Sequence, residues 1–246
     1  MEEFLNTLAF GIYPYIAITV LVIGSIIRYD REPYTWRANS SQLLRRKQLI
    51  MGSVLFHLGI LLIFVGHFVG LLTPIWVFDA VADAMAIDHG AMHAFKQTGA
   101  VLVGGIAGVF CLIGLLMLLH RRMSDARIRS TSSFWDVAIL FLLLAQLLLG
   151  LGTIFVSIQH LDGEEMIHFM NWSYGIITFQ PNVAENVLHV APIFKAHMFL
   201  GLTIFLVFPF TRLVHMFSAP VRYLWRPGYQ VVRSRGKSKA QAYPAE

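Results

Sequence analysis

Cysteine occurs once in the 246 residues, at Cys111, and its scarcity removes several chemistries. An internal disulfide, a Cys-x-x-Cys redox pair and a four-cysteine iron–sulfur site are all excluded. Covalent haem attachment through Cys-x-x-Cys-His is excluded too, so any haem must be held by non-covalent ligation. Charge is scarce as well. Asp, Glu, Lys and Arg make up 13% of the chain against 57% hydrophobic residues, and the mean hydropathy is +0.64. A soluble domain carries about twice that share of charge, which leaves a membrane protein. Long repeats and low-complexity tracts are also missing.

What is present is apolar length. Five runs reach the roughly 20 residues needed to cross a bilayer: 4–27, 49–72, 94–119, 135–157 and 191–216. They predict an all-α membrane protein with one five-helix transmembrane domain over 1–217, followed by a basic tail over 218–246. The opening MEEFLNTLAF is acidic and leads straight into an apolar run, so a cleaved signal peptide is not expected. Of the 19 Lys and Arg, all but Lys96 and Lys195 fall in 28–47, in 121–129 or from Arg212 onward. Segments 73–93 and 158–190 hold none, but carry Asp79, Asp83, Asp88, Asp162, Glu164, Glu165 and Glu185. Because Lys and Arg concentrate on the cytoplasmic side, the N-terminus is expected outside and the C-terminus in the cytoplasm. The net charge of +5 then answers to topology and anionic lipid rather than to nucleic acid.

Ten histidines are present, and position sorts them. His89, His93, His120, His160, His168 and His189 sit at span ends or in loops, where a histidine needs no special role. His89 and His93 stand at i, i+4, which is two metal ligands without a third. His57, His67, His197 and His215 lie within or at the end of spans, where a polar side chain must be compensated and function is the default reading. His197 and His215 are eighteen apart, about five full turns, so a continuous helix would put them on one face. His57 and His67 are ten apart and lie roughly on one side. Since the second and fifth spans run antiparallel, His57 pairs in depth with His215, and His67 with His197. Two facing imidazoles at each level are the axial ligands of a six-coordinate haem iron. The two gaps do not match: ten residues rise about 15 Å and eighteen about 27 Å. Tilt and a bend at Pro209 are expected to supply the difference.

The stretches DREPYTWRANSSQLLRRK, FHLGILLIFVGHFVGLLTP, GGIAGVFCLIG and FKAHMFLGLTIFLVFPFTRLVHMFSAP together resemble the gamma subunit of respiratory nitrate reductase, through nearly all five spans. The stretch 73–95 matches less well and is longer than the family pattern. The resemblance implies a dihaem cytochrome b of the bacterial inner membrane. It implies an inner b-type haem on His57 and His215 and an outer one on His67 and His197. It further implies quinol oxidation near the outer haem, with electrons passing through the inner haem to an iron–sulfur subunit and a molybdenum catalytic subunit on the cytoplasmic side.

Lys96, the one cation at the outer end of the third span and matched by a Lys-Gln pair in the family, is the candidate quinol-site residue. Gly66, beside His67, could let a flat ring approach. Arg37, Arg45, Arg46 and Arg212 could pair with haem propionates, although topology alone places arginines there. Two other readings stand beside this one. A related dihaem anchor of a formate dehydrogenase or hydrogenase would reduce quinone instead. A non-redox transporter or scaffold would tend to show interrupted helices and charges near the midplane.

Overall fold

The computed structural model describes residues 1–36 and 43–218; Arg37 and the 219–246 part of the tail lie outside them. Five helices are long and apolar enough to cross a membrane: Glu2–Arg31, Arg46–Leu72, His89–Ser124, Phe134–Ser157 and Pro192–Phe210. They are spans 1 to 5 below, and each coincides with one of the expected runs. Local chemistry sets their starts. Span 3 opens on Asp88, whose carboxylate accepts from the Ala91 amide at 3.0 Å. Span 4 opens on a capping box between Ser133 and Asp136, and span 5 opens with Pro192 in its first turn.

Two prolines shape the rest. Pro14 has no amide to offer Phe10 O, and span 1 widens there into a π-turn over Leu8–Ile12. The freed Phe10 carbonyl accepts from Trp172 Nε1 at 2.8 Å. This bond ties span 1 to the helix Glu164–Ile177, which lies between spans 4 and 5 in the chain. Pro209 ends the regular helix of span 5 at Val207. Phe208–Phe210 forms a 3-10 turn, Thr211 is extended (φ −113°, ψ 177°), and a second 3-10 segment covers Arg212–Ser218. The continuous helix that the eighteen-residue spacing presupposes is therefore broken, and the bend expected at Pro209 is present.

The surface of the spans is apolar. Leu58, Leu61, Val65 and Phe68 on span 2 are all more than half exposed, as a helix facing lipid tails can be. Contacts between spans depend instead on small residues. A methyl group on Gly59 would fall 2.5 Å from Ala107 O and 2.6 Å from the Cys111 amide, so spans 2 and 3 meet backbone to backbone. The close contacts anticipated at GGIAG hold only in part. Gly108 abuts Leu151, but nothing lies within 4 Å of the Cβ position of Gly104. A buried cluster of Phe10, Ala17, Trp172, Val187, Phe194 and Leu202 joins spans 1 and 5 to the 164–187 segment.

A further helix, Ile75–Ala84, follows span 2 in the stretch that fits the family pattern least. It carries Asp79 and Asp83 on one side, four residues apart.

Candidate functional site

Span 2 carries His57 and His67 on an unbroken helix, and each ring is pinned by its own backbone. His57 donates from Nδ1 to Ser53 O at 2.7 Å, and His67 from Nδ1 to Ile63 O at 2.8 Å. His215 donates from Nδ1 to Arg212 O at 2.6 Å. A carbonyl can only accept, so the proton sits on Nδ1 in all three and the Nε2 lone pair is left for a ligand. His197 differs. Its Nδ1 is buried with no hydrogen-bond partner, and its Nε2 lies 3.4 Å from Gln146 Nε2 on span 4.

The four rings meet as two pairs. The His57 and His215 centroids are 6.3 Å apart at 73°, and those of His67 and His197 are 6.1 Å apart at 44°. Two imidazoles on opposite sides of one metal, each bound at about 2.0–2.1 Å, have centroids roughly 6 Å apart. The lone-pair orientations of His57, His67 and His215 and the spacing of both couples fit two sites that would each hold a haem between two imidazoles. Among the described residues no group of three or more His, Cys, Asp or Glu is arranged to hold a bare metal ion.

The span 5 break is held from outside. Arg28, at the end of span 1, donates through Nη1 to Pro209 O at 2.5 Å and Thr211 O at 2.7 Å, and through Nη2 to Thr35 O at 2.8 Å. It thereby satisfies carbonyls that a helix would have paired internally, and fixes the turn that presents His215. At the other pair, Gly150 makes room for the ring: a methyl there would sit 2.9 Å from His197 Cε1.

The remaining expectations meet mixed outcomes. No hydrogen bond or ion pair among the described residues joins Lys96 to His67 or Gly66. Lys96 Nζ donates to the Met170 sulfur at 3.2 Å and lies 4.0 Å from the Phe78 ring centroid. Both are weak partners for an ammonium group with three protons to donate. Gly66 has nothing within 4 Å of its Cβ position, so helix packing does not explain it. Arg45 is engaged by Asp125 at 3.2 Å, and Arg212 lies 3.7 Å from Asp136, which also faces Arg122 at 3.9 Å. Two residues escaped sequence reasoning. Arg28 looked like one more basic-side charge, and nothing local pairs it with Pro209. Gln146 did carry a signal, as a lone amide inside FLLLAQLLLGLG.

A model of the nitrate reductase gamma subunit family matches residues 6–235. The chain belongs to that family. Relatives of this gamma subunit include respiratory nitrate reductase 1 gamma chain of Escherichia coli K12, 48% identical across 95% of this chain and 99% of that one. The 2 gamma chain of the same organism is 47% identical across 96% and 100%. The nitrate reductase gamma chain of Bacillus subtilis is 38% identical across 92% and 96%. Family membership together with five apolar helices makes the gamma subunit a multi-pass membrane protein and a subunit of an oxidoreductase complex, which counts against the transporter reading. Between the two redox readings, it favours nitrate reductase over a formate dehydrogenase or hydrogenase anchor.

Proposed function

We propose that this gamma subunit is the dihaem cytochrome b of a respiratory nitrate reductase in the bacterial inner membrane, oxidising quinol and delivering electrons to partner subunits. The observation that carries the reading is the pair of facing imidazole couples, His57 with His215 and His67 with His197, at 6.3 and 6.1 Å. Haem bound at these couples supplies one-electron redox chemistry on both sides of the membrane interior. The protein's own share is to orient the ligands. Backbone carbonyls fix the imidazole tautomers of His57, His67 and His215, and Arg28 fixes the turn carrying His215.

The positive-inside distribution places the His67/His197 couple toward the outside and the His57/His215 couple toward the cytoplasm. An iron–sulfur subunit and a molybdenum catalytic subunit would receive the electrons on the cytoplasmic side. Quinol docks at the outer couple. Lys96, held among the described residues by a thioether and a ring face, has protons free to hydrogen-bond a quinol oxygen. The open flank at Gly66 admits the flat ring beside His67.

A reduced-minus-oxidised difference spectrum with a haem count tests this. Two non-covalent haems per chain are expected. His57→Ala and His215→Ala should each lose or alter one haem, and His67→Ala and His197→Ala the other. A protein without pigment sinks the haem reading, and a variant that leaves its assigned haem untouched sinks the pairing. Quinol-analogue oxidation with nitrate as acceptor, against quinone reduction with formate or hydrogen as donor, decides electron direction.

A further inference from the structure

Quinol oxidation releases two protons with its two electrons, and span 3 carries an unexplained titratable cluster one turn from Lys96. Asp79, on the helix Ile75–Ala84, follows Phe78, whose ring lies 4.0 Å from Lys96 Nζ. Its Oδ1 is buried and makes no hydrogen bond. Two imidazoles of span 3 face that oxygen: His93 Nε2 at 3.3 Å and His89 Nδ1 at 3.9 Å. His93 stands three residues before Lys96, on the same side of the helix, and its Nδ1 is also buried without a partner. His89 turns its Nε2 to Asp83 Oδ1 at 2.8 Å.

We propose that Asp79, His93, His89 and Asp83 form the proton exit of the quinol site, a proposal that rests on the quinol-oxidising reading above. A quinol O–H bond breaks and an O–H bond forms on the Asp79 carboxylate, while the two electrons would leave one at a time to a haem that His67 and His197 would hold. Asp79 passes the proton to an imidazole. For His89 the tautomer suits this role. Its Nε2–H is donated to Asp83, so Nδ1 offers a lone pair to Asp79; a proton taken at Nδ1 is matched by one released from Nε2 to Asp83. The hop leaves His89 protonated on Nδ1, and the half-exposed ring returns to its first tautomer by exchanging protons with water before it takes the second proton of the turnover.

Exposure rises from Asp79 through His89 to Asp83, with His93 on the inner side. The side chains of His93 and Asp79 are 12% and 31% exposed, against 50% for His89 and 72% for Asp83. The loop entering Glu164–Ile177 closes the other side, with Gly163 (φ +85°) against the His93 backbone: a methyl there would meet His93 O at 2.9 Å. The charged and titratable groups next to the cluster in the chain are Asp88 and Lys96 on either side of His89 and His93, Asp83 beside Asp79, and His160, Asp162, Glu164, Glu165 and His168 within five residues of Gly163. Glu165 is held above the usual carboxylate range by burial, and its Oε2 has no hydrogen-bond partner among the described residues.

The test uses the assembled complex in membranes. Asp79→Asn, and separately His93→Gln, should keep both haems and normal reduction by dithionite. Haem reduction by a quinol analogue should slow at least ten-fold, with KM within about two-fold. The acid limb of the wild-type pH profile should move or vanish in Asp79→Asn, and Asp79→Glu should restore most of the rate. If both variants keep the wild-type rate and pH profile while quinol still reduces the wild-type haems, the exit is not here. If quinol fails to reduce the wild-type haems, the underlying reading falls first. Should Asp79→Asn lose haem, His93→Gln decides: an unchanged rate refutes the exit, and a slowed rate with both haems retained supports it.

Discussion

Gly150→Ala isolates one ligand without removing it. The added methyl would lie 2.9 Å from His197 Cε1, whereas carbon atoms in contact prefer about 3.5–4.0 Å. The ring must therefore move by roughly 0.6–1 Å. An unligated imidazole can swing aside at little cost, because Cε1 is at the far end of the side chain. An imidazole that holds a haem would not be free to do so, since its ligating nitrogen would have to stay in place. The strain thus falls on the haem-bound state. An overpacking cost of about 1–3 kcal/mol corresponds to haem binding at that couple weakened roughly 5- to 150-fold. The His57/His215 couple should be untouched. Haem count and difference spectra of purified Gly150→Ala, with haem supply limited during expression, read this directly. Full occupancy of both haems with wild-type spectra, or equal loss from both, would refute the packing argument. Gly66→Ala is the control: with nothing within 4 Å of its Cβ position, it should retain both haems and raise only the KM for quinol.

Other outcomes follow from the same geometry. Lys96→Ala should keep both haems yet raise the quinol KM at least ten-fold, since a hydrogen bond to a charged donor contributes about 1.5–3 kcal/mol; an unchanged KM would return Lys96 to an interfacial role. Arg28→Ala removes two charge-assisted bonds to the Pro209 and Thr211 carbonyls. It should lower occupancy of the His57/His215 haem selectively, and a variant that loses the other haem first would contradict the clamp. Trp172→Phe removes the donor to Phe10 O. The buried carbonyl it leaves unpaired should cost about 1–3 kcal/mol, visible as a lower melting temperature with haem spectra unchanged.

The five spans and the histidine partners were legible because both depend on local properties. Apolar length reports a span, and charge asymmetry reports which ends share a side, which fixes which histidines share a depth. The helix Ile75–Ala84 was not legible. Its ten residues are too short to span, and IWVFDAVADA reads equally well as loop or helix until Asp79 meets span 3. The Arg28 clamp was hidden for a different reason. Pro209 signals that carbonyls are freed, but their donor lies about 180 residues earlier, and only the packing of spans 1 and 5 brings it there. Tight contact at Gly59 and Gly108 but not at Gly104 likewise depends on helix rotation, which a small-residue motif does not specify.

That break also reconciles the unequal histidine spacings. On span 2 the ten residues from His57 to His67 rise about 15 Å. On span 5 the regular helix runs from His197 to Val207, also ten residues and also about 15 Å. The eight residues from Phe208 to His215 would add roughly 12 Å more if they stayed helical, carrying His215 past its partner. Instead they form two 3-10 segments around an extended Thr211, and Arg28 holds the carbonyls on either side of the kink. Both ring pairs close to within 6.3 Å between centroids, so the broken stretch does not carry His215 the full helical rise beyond Val207. Eighteen residues on one span and ten on the other therefore describe the same vertical distance, and Pro209 with Arg28 accounts for the difference.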